Sequence, residues 1–120
     1  MKWKKSRYLC LTLITSIGLF YACEKVALEP VKVTSASFSK DIQPIFTKNC
    51  IGCHDGVIQS PNLKSGSAYK SLTTGGYVNT SSPKDSKLYQ QLFISSHIAR
   101  TTDVEKQEIL VWITNGAKND

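Results

Sequence analysis

The chain has 120 residues, 41% apolar and 9% aromatic, which is enough for one small domain. Its fifteen basic residues exceed its nine acidic ones by six, but Lys2, Lys4, Lys5 and Arg7 all precede a charge-free run. Without those four, eleven basic residues face nine acidic ones, a net charge of +2, so the basic excess reads as targeting and not as a nucleic-acid surface.

The uncharged run covers residues 8–21 (YLCLTLITSIGLFY) and is followed by Ala22-Cys23. It is shorter than the roughly 20 apolar residues of a membrane span. Thr12, Thr15, Ser16 and Gly18 also interrupt it, so it reads as an export signal; an uncleaved anchor helix is the competing reading. Ala22-Cys23 resembles a lipoprotein cleavage site, although Phe20 and Tyr21 depart from the usual residues there. The expected organisation is a lipoprotein-type signal over 1–22, a lipidated Cys23 opening a flexible tether over 23–37, and a folded domain over 38–120. Acyl chains on Cys23 would hold the protein at a membrane surface. Cys10 then lies in the discarded segment.

The tether lacks a sustained period and contains Pro30. Asp41 to Asn49 suits a short helix, with Asp41 as N-cap and Pro44 in the first turn. Gly56 to Pro83 is rich in Gly, Ser, Thr, Asn and Pro, which predicts loop with one helical turn around Ala68 to Leu72. A further short helix is expected over Ser86 to Phe93, capped by Ser86, with Leu88 and Leu92 inward. The last helix carries a capping box, Thr102-Asp-Val-Glu105, an inward stripe of Ile109, Trp112 and Ile113, and Gly116 at its stop. No strand and no repeat is expected.

The chemistry concentrates in Cys50-Ile-Gly-Cys53-His54. In a C-x-x-C-H string two thiols can form thioethers with the two vinyl groups of one haem while the next residue offers its imidazole to the iron. Shuffling this composition would yield the string only about twice in a thousand sequences, so the signal is specific. Three rivals compete. A thioredoxin-like pair needs a preceding strand in an α/β pattern, which is missing. A zinc site could take Cys50, Cys53 and one or both histidines, but adjacent Cys53 and His54 are awkward tetrahedral partners and a second ligand pair is lacking. A Cys50–Cys53 disulfide is the third. Export agrees with haem, because covalent haem attachment in bacteria occurs outside the plasma membrane.

From Phe38 onward the chain resembles the small single-haem c-type cytochrome domains of bacterial exported and lipid-anchored proteins. The matching stretches are Asp41-Ile-Gln-Pro-Ile-Phe46 leading into the C-x-x-C-H string, Ser86-Lys-Leu-Tyr89, and Trp112-Ile-Thr-Asn-Gly-Ala117. The resemblance implies an all-α, class I cytochrome c-like fold of three to four helices around one covalently bound haem c. Its first and last helices would cross at the haem edge, where Phe46 would meet Trp112 or Ile113. Cys50 and Cys53 would bear the thioethers and His54 would be the proximal axial ligand. By analogy the other ring N–H of His54 would seek a backbone carbonyl near Pro61.

The family's usual Met-Pro pair before the last helix is missing, since the single methionine is Met1. In its place stands Ser95-Ser-His97, and His97 is the one histidine besides His54. His97 is therefore expected as the distal axial ligand to the haem iron, against the alternative of a solvated loop histidine. A second imidazole in place of a thioether implies a low potential. Arg100, Tyr77 and Lys87 stand as partners for the haem propionates or as ordinary surface residues, and Asp55 as a loop residue. The expected role is electron transfer between redox protein partners at the outside of the bacterial cell envelope, with no catalytic residue, no small-molecule substrate and no nucleic acid. A haem enzyme or gas-binding protein with an open sixth position, or a haem relay subunit of a larger oxidoreductase, are the competing roles.

Overall fold

The computed structural model describes residues 32–120. The signal over 1–22, Cys10, Cys23 and the tether up to residue 31 lie outside the described residues. Regular structure begins with Ser37, whose extended backbone and hydroxyl cap the first turn by accepting the N–H of Lys40. The Asp41 carboxylate reciprocates by accepting the Ser37 N–H at 2.7 Å. A π-helical turn, Phe38–Ile42, runs from this cap into helix α1, Gln43–Asn49.

The expected start is thus corrected: Ser37 and not Asp41 is the cap, and Asp41 sits inside the first turn. Pro44 lies in the first turn of α1 as expected, but with a turn already formed ahead of it a continuous α-helix would press its ring on the carbonyl of Lys40. The wider π bonding immediately before it, from the Ile42 N–H to the Ser37 carbonyl at 3.2 Å and from the Gln43 N–H to the Phe38 carbonyl, accommodates the ring. Two N–H groups of this helix start are satisfied from far away in sequence. Phe38 donates to the Asp120 side chain and Ser39 to its carbonyl, both at 2.9 Å. A carboxylate at this end is also favoured by the helix dipole.

Helix α2, Ala68–Thr74, extends beyond the single turn expected and buries Ala68 and Leu72. A 3-10 turn, Pro83–Asp85, precedes helix α3, Lys87–Gln91. Helix α3 ends before the expected Phe93, though Leu88 and Leu92 are both buried. Ser86 holds the N-cap position without capping. Its hydroxyl is committed to Asn79, accepting the N–H at 2.9 Å and donating to the carbonyl at 3.3 Å, which fastens the preceding loop to α3.

Helix α4, Asp103–Thr114, forms as the sequence predicts. Both bonds of the Thr102/Glu105 capping box are present, and Ile109, Trp112 and Ile113 are buried. Beyond Asn115 the chain closes in a Schellman arrangement, Ala117 donating to the Trp112 carbonyl at 2.9 Å and Gly116 to that of Ile113 at 3.1 Å. Gly116 has a φ of +94°, the left-handed conformation that glycine takes without strain.

The described residues are all-α, with four α-helices and no strand. None of these helices is long and apolar enough to cross a membrane. The first and last helical segments pack through Phe38, whose ring centroid lies 5.3 Å from that of Trp112, 5.3 Å from Tyr69 and 6.4 Å from Phe46. The aromatic partner of Trp112 is Phe38, and Phe46 shares one core with Trp112 and Ile113. A helix begun at Asp41 would leave Phe38 outside it. Phe46 lies in the same core, and Trp112 places its indole N–H on the Lys118 carbonyl at 2.8 Å.

Candidate functional site

Helix α1 stops where Cys50 begins. The Phe46 carbonyl receives the N–H of Cys50 at 2.9 Å and of Ile51 at 3.1 Å, and the Cys50 carbonyl then receives those of Cys53 at 3.1 Å and His54 at 2.9 Å. These bonds wind the five-residue string into one tight turn, so both thiols and the imidazole come from a single short piece of backbone. The turn is fastened on both sides. Just before it, the Asn49 side chain donates to Glu105 at 3.2 Å, in the first turn of α4, and Lys48 pairs with the same carboxylate at 3.5 Å. Just after it, the His54 carbonyl accepts the N–H of Leu63 at 2.8 Å, and Asp55 accepts those of Val57 and Ile58, each at 2.8 Å.

The second component arrives on the turns that follow α3. His97 donates its backbone N–H to the Ile94 carbonyl at 2.9 Å and accepts from Arg100 at 2.8 Å. Its ring lies 6.0 Å from that of His54, centroid to centroid, with the planes inclined by 35°. Two residues distant in sequence, the only histidines of the chain, are thus brought close together beside the two cysteines.

Two adjoining clefts, about 270 and 180 Å³, share Cys50, His54, Gln59, Leu92 and His97. Together they reach the size of cofactor sites. The first also takes in Cys53, Ser96, Arg100 and Thr101; the second takes in Phe46, Pro61, Leu63, Tyr77 and Lys87. All three side chains considered for propionates therefore border this space, Arg100 on one lobe and Tyr77 and Lys87 on the other. Lys87 and Arg100 carry no ion pair among the described residues.

Both cysteines are free, Cys50 half-buried and Cys53 exposed. Burial, reinforced by the Glu105 carboxylate and opposed by Arg100, pushes the Cys50 thiol up to about 11. A neutral thiol is the reverse of the acidic, thiolate-forming cysteine of a thioredoxin-like pair. Burial likewise lowers the His97 imidazole, with His54 and Arg100 adding positive neighbours. Among the described residues no set of three or more His, Cys, Asp and Glu side chains gathers to hold a metal ion.

His54 departs from the expected arrangement. Its Nδ1 is buried and has no hydrogen-bond partner, so the anticipated bond to a carbonyl near Pro61 is not formed. Pro61 lines the same cleft, but the local backbone bonding runs from the His54 carbonyl to Leu63 instead. An unpartnered buried polar atom costs about 1–3 kcal/mol. The Thr101 hydroxyl, also on the cleft wall, is buried without a partner as well.

These residues fit a haem iron. With a metal–imidazole bond of about 2.0 Å on each side and each ring centroid about 1.1 Å behind its nitrogen, two imidazoles holding one iron would have centroids about 6.2 Å apart. The 6.0 Å between the tilted His54 and His97 rings matches that span in length, and the two thiols lie on the turn that carries His54. Ser96 and the Asn49–Glu105 link were missed in the sequence; the first is signalled only by adjacency to His97, and the second by nothing local. The chain matches no family model, no curated protein and no solved structure.

Proposed function

We propose that residues 38–120 form a mono-haem c-type cytochrome domain of class I-like fold that passes single electrons between redox proteins. The observation that carries this reading is the 6.0 Å approach of the His54 and His97 rings in the cleft that Cys50 and Cys53 also line. When bound, the haem would supply a reversible one-electron ferric/ferrous couple. Cys50 and Cys53 would hold the haem covalently through thioether bonds. His54 and His97 would both hold the iron by their imidazoles, and an iron held by two protein side chains favours a carrier over a haem enzyme or gas binder.

Leu92, Phe46 and Leu63 border the cleft with apolar surface that would keep water from a bound haem. Arg100 and Lys87 place unpaired positive charge at its edges, where haem carboxylates would be matched. A second imidazole in place of a thioether favours the ferric state, so a low potential is expected. The same reading includes export on the signal over 1–22, lipid anchoring through Cys23, and weak, transient encounters with protein partners at the cell envelope. A relay subunit of a larger oxidoreductase would use the same site in the same way.

The test is a pyridine haemochrome assay and an intact mass on the protein purified from a host competent for cytochrome maturation. The expected result is one haem c per chain that survives acid-acetone extraction, and none in the Cys50→Ser/Cys53→Ser double variant. A colourless chain of unmodified mass would overturn the proposal.

A further inference from the structure

We infer that Ser96 is the positioning residue for the distal ligand, holding the His97 ring so that Nε2 faces the iron position; this rests on the haem reading above. An imidazole ligates through one nitrogen, and the bond made by the other decides which nitrogen that is and how the ring turns. The Ser96 hydroxyl lies 2.9 Å from His97 Nδ1, which occupies that nitrogen and leaves Nε2 as the one that can ligate. The main chain of His97 is already set: the Ile94 carbonyl accepts the N–H of both His97, at 2.9 Å, and Ile98, at 2.8 Å, and the His97 carbonyl accepts that of Arg100 at 2.8 Å. Only the side-chain torsions remain free, and Ser96 supplies the polar restraint on the ring.

The two imidazoles differ in this respect. His54 Nδ1 has no partner, so of the two rings only that of His97 is held by a polar side chain. Ser96 also lines the cleft, is exposed, and makes no other side-chain hydrogen bond among the described residues. Its replacement therefore removes this restraint while the backbone turn stays intact. An N–H partner of this kind also makes an imidazole a stronger donor to the metal, and losing such a partner weakens ligation about 10–100-fold.

The experiment compares wild-type holoprotein with Ser96→Ala, Ser96→Thr and His97→Ala, by titrating the ferric form with free imidazole and by measuring the midpoint potential. Ser96→Ala is expected to bind free imidazole at least about 10-fold more readily than wild type, with a potential shifted positive. Ser96→Thr, which keeps the hydroxyl, is expected to restore both values, and His97→Ala to bind most readily of all. If Ser96→Ala retains haem but leaves imidazole affinity and potential at the wild-type values, the inference fails while the haem reading stands. If the wild-type chain carries no haem c, both fail.

Discussion

The Asp55 carboxylate governs the loop that leaves His54. Backbone N–H groups of Ile58 and Val57 donate to it, and with Lys64 nearby they hold its carboxyl below the ordinary aspartate value of 3.8. A depressed folded-state value means that the carboxylate's stabilisation is complete above the unfolded value and is lost as pH falls through the folded one. Thermal melts of wild type and Asp55→Ala are therefore expected to differ by a constant amount above about pH 4 and to converge below it. A gap that persists to pH 2 would contradict the assignment. His97 permits a second test at this scale. Replacing it by Ala should open the sixth position, so that the ferrous protein binds carbon monoxide rapidly where wild type does not, as read by stopped-flow absorbance. Equal binding by the two proteins would show that His97 is not the ligand.

Helix ends show why some elements are legible in sequence and others are not. The Thr102/Glu105 box is complete within four residues, and helix α4 forms where that pattern predicts. Removing the hydroxyl by Thr102→Ala should lower unfolding free energy by about 1 kcal/mol, measured by urea denaturation, because one N–H of the first turn loses its partner. At the other end of the fold, Asp41 carries a residue type suited to a cap, yet Ser37 takes the position. The deciding partners are Asp120, at the far end of the described chain, and the π turn that accommodates Pro44, neither of which a local pattern reveals. Ser86 fails as a cap for the same reason, since Asn79 claims its hydroxyl through a loop contact. The C-x-x-C-H string is legible because its chemistry is local. The approach of His97 to His54 is suggested in the sequence only by the resemblance, and the Ser96 contact shows only in the folded geometry.

At the scale of the whole molecule, one aromatic cluster joins the start of the fold to its end. Phe38 lies between Trp112, Tyr69 and Phe46, so the segments containing α1, α2 and α4 all depend on it. Truncation by Phe38→Ala is expected to cost about 3–5 kcal/mol. For a domain whose total stability is about 5–15 kcal/mol, that loss would show as a large fall in the urea midpoint. The same packing stands behind the cleft: α1 delivers the cysteine turn, the first turn of α4 clamps Asn49 through Glu105, and the turns between α3 and α4 bring His97 opposite. An iron held between two imidazoles is the claim on which the functional account depends. The electron paramagnetic resonance spectrum of the oxidised protein tests it most directly. The account predicts a low-spin ferric signal of bis-imidazole type that His97→Ala abolishes; a high-spin signal from wild type, or a low-spin signal unchanged in the variant, would contradict it.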